Sequence, residues 1–267
     1  MFFAEEADAS PASEWCSAED LNPVRGTGST LIILGVHSTT PSLGVALVKD
    51  GRVQEEVIFP PSREHLENLA VAVKDLMERQ RVTLADLGGI GVATGPGSFS
   101  GIRVGLSLAK GMALALGIPV AGVSTLEILA WQALDNGSVG LPVIDARRGE
   151  VYAGLYRKQG AQLTVIDGPM LIRLDALVRM LKEVTEPITL CGDRVADQEV
   201  ADFPLVVRSA VRVPSPAVCA KIAEQSIRAG RSPGLHGILP LYIRRSDAEE
   251  NRERRLAERI GSQSEPN

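Results

Sequence analysis

A glycine-rich turn that leads directly into a long helix of small residues is the feature that most constrains this fold. Residues 94–117, TGPGSFSGIRVGLSLAKGMALALG, follow one apolar stretch at 90–93 and precede another at 118–121. The order strand, turn, helix, strand predicts a crossover unit between parallel strands. Glycines just before a helix also allow backbone amides to approach an anion, or another backbone, closely.

Hydrophobic patterning predicts the same run of elements twice. In the first half, strands are expected at 31–36, 43–48, 52–59, 89–93 and 118–122, and helices at 62–80, 101–116 and 124–135. In the second half, strands are expected at 139–145, 150–156, 163–168 and 188–191, and helices at 174–184 and 216–229. Two successive βββαβα units predict a duplicated α/β architecture with a cleft between two lobes, at 30–122 and 123–245.

The two ends of the chain differ from these lobes in composition. The acidic stretch 1–29 lacks periodicity and is predicted to be a disordered tail. The stretch 246–267 is highly charged and offers few core residues, which predicts a charged tail that is a solvated helix or a frayed end.

Composition indicates a reducing, cytoplasmic location. Three cysteines, Cys16, Cys191 and Cys219, show neither CxxC nor metal-ligand spacing. No secretory signal is expected from the acidic start, and the apolar run 102–116 is too short for a bilayer and contains Arg103 and Lys110. A net charge of −5 argues against a large generic nucleic-acid surface but leaves room for a local basic patch.

Two segments predict an anion or nucleotide site at the ends of strands. The candidate ligands are hydroxyls and backbone amides at Ser38, Thr39, Gly95, Gly97 and Ser98. For Ser38 and Thr39, an equal alternative is a turn whose side chains hydrogen-bond to its own backbone. For the glycines, the alternative is that they allow tight packing between the strand and the helix. Neither a Walker loop nor a nucleophile elbow is present. Nucleotide-binding proteins of this duplicated design end the first strand in a magnesium-holding acid, but this chain has His37 there, which disfavours metal-nucleotide binding.

Arginines mark two further positions. Arg103 falls in the first turn of a helix, where the macrodipole disfavours a cation, so a carboxylate or phosphate partner is expected. In the hairpin DARRGEVY at 145–152, Arg147 and Arg148 stand between Asp145 and Glu150, and internal ion pairing is the expected arrangement. Contact with a polyanion is the alternative.

Histidine supply argues against a metal site. The chain contains His37, His65 and His236, without an HExxH pattern, and Leu69 occupies the position one turn after His65. The residues therefore predict neither a bound metal nor a catalytic constellation.

Taken together, several segments resemble the TsaB (YeaZ) family, paralogues of the TsaD/Kae1 group. The matching runs are ILGVHSTT at 33–40, TGPGSFSGIRVG at 94–105, AKG at 109–111, VSTL at 123–126, DARRGEVY at 145–152 and PLYIR at 240–244. The resemblance covers about residues 31–245, and the pairing of GPGSFSGIR with DARRGEVY is much more specific than either run alone. The family carries Asp at the position of His37, and the acidic N-terminal tail is unusual for it.

The resemblance implies a duplicated actin-like (ASKHA, ribonuclease H-like) ATPase fold and a role in placing threonylcarbamoyl on N6 of the tRNA adenosine next to the anticodon. It implies a heterodimer with a TsaD-like paralogue that carries out the transfer, joined by a TsaE-like ATPase, with tRNA met through the complex. The chain itself would be a non-catalytic scaffold or activator, without a cofactor of its own beyond weak or partner-dependent ATP/ADP binding. The alternatives are an independent ASKHA kinase or ATPase and a homologue of M22-like glycoproteases.

For the partner contact, the helices at 62–80 and 101–116 are expected to pack against the equivalent pair of the paralogue, or of a second copy in a homodimer. The candidate residues are His65, Leu66, Leu69, Val73, Gly101, Arg103, Gly105, Leu106, Ala109 and Met112. Filling of the chain's own core is the alternative, with even weight for Leu69 and Val73. On the partner interpretation, Gly105→Leu would abolish pairing and leave the monomer folded. For tRNA, the candidates are Arg147 and Arg148, followed by Arg244 and Arg245.

Overall fold

The computed structural model describes residues 30–61, 68–160, 162–194 and 203–244, which form two five-stranded sheets. The first sheet contains β1 (Ile32–His37), β2 (Leu43–Lys49), β3 (Arg52–Phe59), β4 (Leu87–Gly95) and β5 (Val120–Ser124). The second contains β6 (Val139–Asp145), β7 (Glu150–Gln159), β8 (Gln162–Arg173), β9 (Ile188–Gly192) and β10 (Val206–Arg208). Both predicted tails, together with His65, Leu66 and Arg245, lie outside the described residues.

The two sheets share one strand order. The first runs β3-β2-β1-β4-β5, and the second, read from its opposite edge, runs β8-β7-β6-β9-β10. In each sheet the first three strands are antiparallel neighbours, and the last two are added in parallel. This repeated order confirms the duplicated α/β prediction and is that of the actin-like, ribonuclease H-like fold.

Helices cover the sheets. They are α1 (Leu69–Gln80), α2 (Phe99–Leu116), α3 (Thr125–Ala133), α4 (Leu174–Lys182), α5 (Pro216–Arg228) and the single turn α6 (Gly234–Gly237), with a 3-10 turn at Leu84–Asp86. The alternation of β1 places Leu34 and Val36 against α1 and α2, whereas Ile33 faces α5 on the opposite side. The first lobe is therefore a helix–sheet–helix sandwich.

Helix α5 lies unusually close to the first sheet. A Cβ at Gly35 would stand 2.0 Å from the carbonyl oxygen of Pro216, and one at Gly91 would stand 2.6 Å from the Cβ of Ala223. Although α5 follows the second sheet in the chain, it packs on β1, β2, β4 and β5 of the first. Helix α3, between the sheets in sequence, contacts strands of both. The lobe limits at 122 and 123 stay a prediction, but these crossing helices tie the two halves together.

Some element limits differ from those predicted. Helix α2 begins at Phe99 because Ser98 caps it, its Oγ accepting from the amide of Gly101 at 3.3 Å. Strand β8 continues to Arg173 through Pro169, which an edge strand tolerates because one side of it needs no donor. Strand β10 was not predicted, since its three residues carry no usable alternation.

Helix α2 is also longer than the predicted apolar run. By length and composition alone, its 18 residues would suffice to cross a membrane, and it is the one described helix of which this holds. In the structure it lies on β4, with Ile102, Leu106 and Ala113 in the core of the first lobe. Only 33% of its residues are buried, so much of the helix faces outward.

Candidate functional site

The β1–β2 turn and the glycine loop before α2 interlock. The amide of Ser98 donates to the carbonyl oxygen of Thr39 at 2.7 Å, and Ser38 Oγ donates to the carbonyl oxygen of Gly101 at 2.8 Å. A Cβ at Gly97 would stand 1.9 Å from the Thr39 oxygen. Gly95 faces elsewhere, since a Cβ there would stand 2.8 Å from the carbonyl oxygen of Leu241 and 2.9 Å from the Ile102 side chain. Four of the five predicted anion ligands, Ser38, Thr39, Gly97 and Ser98, thus come together. The structure uses Gly97 for tight packing, and the hydrogen bonds join the two segments to each other.

His37 is the buried centre of this junction. Its Nε2 lies 3.0 Å from Thr40 Oγ1 and its Nδ1 3.2 Å from Thr39 Oγ1, and the Thr39 hydroxyl lies 2.8 Å from that of Thr125 on α3. Burial lowers the pKa of His37 from 6.5 to about 3, so the ring is neutral at physiological pH. A neutral imidazole held by hydroxyls is a poor ligand for a hard cation.

Among the described residues Arg103 has no carboxylate partner, and a phosphate partner stays a prediction. The Nε of Arg103 donates to the phenolic oxygen of Tyr242 at 2.9 Å, and its guanidinium carbon lies 5.7 Å from the ring centres of both Phe99 and Tyr242. The two rings are stacked, with centres 4.6 Å apart. We call Phe99, Arg103 and Tyr242 the aromatic stack. The faces of these two aromatic rings provide a negative potential for this cation near the N-terminal end of α2.

The predicted partner residues of α1 and α2 separate into two groups. Six of them are buried in the chain's own first lobe: Leu69, Val73, Gly101, Gly105, Leu106 and Ala109. A Cβ at Gly105 would stand 2.4 Å from Ser38 Oγ, so the close approach that it permits is to the β1–β2 turn. This corrects the interpretation of the glycine spacing as a partner contact. Met112 is half-buried, and Arg103 is exposed.

The outward side of α2 carries a second row of small residues that the sequence interpretation missed. Ser107, Gly111 and Ala115 repeat every fourth position and are all exposed, beside Leu114, which is 64% exposed. A Cβ at Gly111 would meet nothing within 4 Å. Val71 on α1, which belongs to the same helical layer, is 52% exposed. The four-residue spacing of 107, 111 and 115 was the signal that could have found this row.

The turn between β6 and β7, residues 146–149, is here called the arginine turn. Arg147 and Arg148 both adopt left-handed conformations, with φ of 63° and 56°. The structure shows no ion pair between Arg147 and the flanking acids, each of which forms a longer-range pair. Asp145 pairs with Arg194 at 3.3 Å, and Glu150 pairs with Arg244.

Two carboxyl groups lie side by side at the C-terminal ends of the neighbouring parallel strands β6 and β9. The amide of Asp145 donates to Asp193 Oδ1 at 3.1 Å, and burial raises the pKa of Asp193. Asp145 ends β6 as His37 ends β1, so the two lobes carry different chemistry at equivalent positions. Within the described ranges 30–61, 68–160, 162–194 and 203–244, no three His, Cys, Asp or Glu side chains form a group that could hold a metal.

A closing segment, residues 240–244, spans both lobes. The amide of Leu241 donates to the carbonyl oxygen of Thr94 at the end of β4. Two residues later Ile243 packs into the second lobe, and Arg244 donates to the carbonyl oxygen of Ala146 at 2.6 Å. The segment therefore fixes the aromatic stack of the first lobe beside the arginine turn of the second.

The two cysteines in the described part of the chain are buried thiols. Burial raises the pKa of Cys191 to about 12, and it raises the pKa of Cys219 as well. Neither thiol would ionise near neutral pH, so neither is suited to nucleophilic chemistry.

Comparisons with known proteins agree with this architecture. The family model for TsaD, tRNA N6-adenosine threonylcarbamoyltransferase, matches residues 58–214. A Bacillus subtilis (strain 168) protein named tRNA threonylcarbamoyladenosine biosynthesis protein TsaB is 31% identical over 225 residues, covering 82% of this chain and 96% of the relative. The protein of the same name from Escherichia coli (strain K12) is 30% identical, covering 81% and 96%. Among solved structures, YeaZ from Pseudomonas aeruginosa is 25% identical with a TM-score of 0.66, covering 79% of this chain and 99% of that one.

Proposed function

The chain belongs to the TsaB/YeaZ family, and from that premise we propose that it is a non-catalytic subunit that pairs with a TsaD-like paralogue. It takes part in the biosynthesis of threonylcarbamoyladenosine in tRNA, the process for which its relatives are named. In the proposed complex the paralogue carries the transfer chemistry, a TsaE-like ATPase joins them, and tRNA is bound by the assembly. Pairing stabilises an active arrangement of the paralogue.

The outward side of α2 is the observation that carries this proposal. The helix is largely apolar, yet Leu114 and the row of Ser107, Gly111 and Ala115 face solvent. Exposed apolar patches mark protein contacts, and small residues repeated every fourth position let a second helix approach closely. Because α1 adds Val71 to the same layer, a partner that presents two helices would complete a four-helix contact.

The interior of the first lobe supports a role without catalysis by this chain. The β1–β2 turn and the glycine loop are packed against each other, as the Gly97–Thr39 and Gly101–Ser38 approaches demonstrate. At the position of the family's acid, His37 is neutral and hydrogen-bonded to threonine hydroxyls. Independent turnover of Mg-ATP would require this junction to open and a metal ligand to be supplied from elsewhere.

The test is co-expression with the TsaD-like paralogue from the same genome, followed by size-exclusion chromatography with light scattering. Gly111→Arg places a charged side chain on the outward row, where the structure leaves room for it in the monomer. Gln225→Arg is the matched control, since it adds the same charge to an exposed position of α5, on the opposite face of the sheet.

We expect the wild type and Gln225→Arg to form a 1:1 heterodimer and Gly111→Arg to remain monomeric. Pairing of Gly111→Arg at wild-type affinity would reject the α2 contact. A wild-type chain that forms only homodimers, or that hydrolyses ATP without a partner, would reject the scaffold role itself.

A further inference from the structure

The arginine turn presents two cations at the edge of the second lobe. Arg147, Arg148 and Gly149 are consecutive left-handed residues, with φ of 63°, 56° and 75°. Both arginine side chains are exposed. A left-handed conformation costs an ordinary residue about 1 kcal/mol, so placing two arginines there is unfavourable for folding alone.

The acids that flank the turn are paired with arginines from distant segments. Asp145 pairs with Arg194, which follows β9, and Glu150 pairs with Arg244 of the closing segment. Among the described residues, the Arg147 side chain has no carboxylate partner. Both flanking acids are therefore paired with arginines from outside the turn, in a chain that carries −5 overall.

The aromatic stack adjoins the turn. Arg244 is hydrogen-bonded to Ala146 of the arginine turn. Tyr242 is two residues before Arg244, so the Cα atoms of Tyr242 and Arg244 are at most about 7 Å apart. Tyr242 is 40% exposed and stacks on Phe99, with Arg103 against both rings. One edge of the molecule thus combines guanidinium groups with partly exposed aromatic rings.

We propose that this edge is an RNA-contact surface that binds tRNA directly. Arg147 and Arg148 meet phosphates, for which the guanidinium fork is well shaped, and the Tyr242 ring stacks on an unpaired base. The inference rests on the proposed function, because tRNA is the polyanion that this biosynthesis offers. It goes further in assigning part of the tRNA contact to this chain.

The test uses an unmodified transcript of a tRNA that reads an ANN codon. Its binding to the chain alone, and to the chain in complex with its paralogue, is measured by fluorescence anisotropy at several salt concentrations. The variant Arg147→Glu/Arg148→Glu changes the charge by −4, and Lys49→Glu/Arg52→Glu makes the same change at the exposed β2–β3 hairpin. That hairpin lies at the far end of the first sheet, since Lys49 pairs with Ile32 while His37 pairs with Gly44. Pairing with the paralogue is measured on the same samples.

We expect the arginine-turn variant to bind tRNA about tenfold more weakly than the wild type. The negative slope of log K against log salt concentration should become shallower by about 1.4–1.8, the change that two lost phosphate contacts would give. The hairpin variant should bind as the wild type does. Tyr242→Leu should weaken binding with the slope unchanged, because stacking releases no counterions.

An unchanged affinity and slope, or an equal loss in the hairpin variant, would overturn the proposal. Loss of pairing with the paralogue would also overturn it and assign the turn to a protein contact. If the wild type does not pair, the proposed function fails, but the comparison on the chain alone still decides the RNA surface. Arg147→Gln/Arg148→Gln repeats the measurement should thermal unfolding reveal that the Glu variant is misfolded.

Discussion

The Nε atom of Arg103 donates a hydrogen bond to the phenolic oxygen of Tyr242 across 2.9 Å, joining the second turn of α2 to a residue 139 positions later in the chain. This contact, with the Tyr242–Phe99 stack, holds the closing segment against the first lobe. The same segment binds the second lobe through Arg244, so it links the two lobes at the edge where the proposed RNA surface lies.

We expect Tyr242→Phe to reduce the free energy of unfolding by about 0.5–1 kcal/mol, because it removes one partly exposed hydrogen bond and keeps the ring. Tyr242→Ala should cost about 1–2 kcal/mol more, since stacking and apolar burial are also lost. Urea denaturation followed by circular dichroism measures both. Equal effects of the two variants would mean that the rings contribute little.

Stability should depend on pH through His37. Its pKa is near 6.5 in the unfolded chain and about 3 in the folded one, so between these values the unfolded state binds more protons. Acid therefore favours unfolding in that window, and this residue alone should cost about 1.4 kcal/mol per pH unit as the pH falls below 6.5. Urea midpoints from pH 7 to 5, above the range where most carboxylates titrate, measure the slope.

The matched variant is His37→Gln, which does not titrate and can keep a hydrogen bond to Thr40. The wild type should lose stability relative to this variant on acidification, although the variant starts lower at pH 7 because the buried site is repacked. Parallel pH curves for the two proteins would show that His37 is not held neutral by burial.

Two glycines of α2 should respond oppositely to the same substitution. Gly111→Ala adds a methyl group into open space and raises helix propensity, so it should stabilise the monomer by about 0.5–1 kcal/mol. Gly105→Ala would place its methyl 2.4 Å from Ser38 Oγ and should destabilise by about 1–3 kcal/mol. Thermal unfolding of the monomers distinguishes them. A stabilising Gly105→Ala would contradict the packing of α2 on the β1–β2 turn.

Local patterns were sufficient to predict the repeated architecture. Alternation and turn residues predicted β3 and β6 with the limits found, Arg52–Phe59 and Val139–Asp145. The two βββαβα units followed from element order, and the strand pairing confirms them. These features depend on residues that are close together in the chain, which is why one sequence is enough to predict them.

Orientation and long-range pairing were beyond local patterns. Helix α2 carries two rows of small residues with the same four-residue spacing, one through Gly105 and one through Gly111, and only contact with Ser38 decides which row faces inward. The Tyr242 partner of Arg103 and the Arg194 partner of Asp145 come from segments far along the chain. For Asp145 the sequence suggested pairing within its own hairpin, because only near neighbours can be recognised from a local pattern. The proposed partner face and the pairing of the acids beside the arginine turn both depend on such contacts.

The Arg244 contact should control the mobility of the arginine turn. Its side chain is only 11% exposed, pairs with Glu150 and donates to the carbonyl oxygen of Ala146. Arg244→Met would leave a half-buried carboxylate and a carbonyl without these bonds, which should cost about 1–3 kcal/mol. Hydrogen exchange should accelerate at the amides of Ala146 and Glu150, whose bonds to Glu150 and Arg147 close the turn.

Hydrogen-exchange mass spectrometry on the full chain measures this mobility, with Arg179→Met as the control. Arg179 forms an exposed pair with Asp175 on α4, so its loss should change stability by less than about 0.5 kcal/mol and leave the turn unaffected. Adding Glu150→Gln to Arg244→Met should recover part of the lost stability, because the unpaired charge is removed. If Arg244→Met behaves as Arg179→Met does, the closing segment does not hold the turn, and the link between the lobes at this edge must come from other contacts.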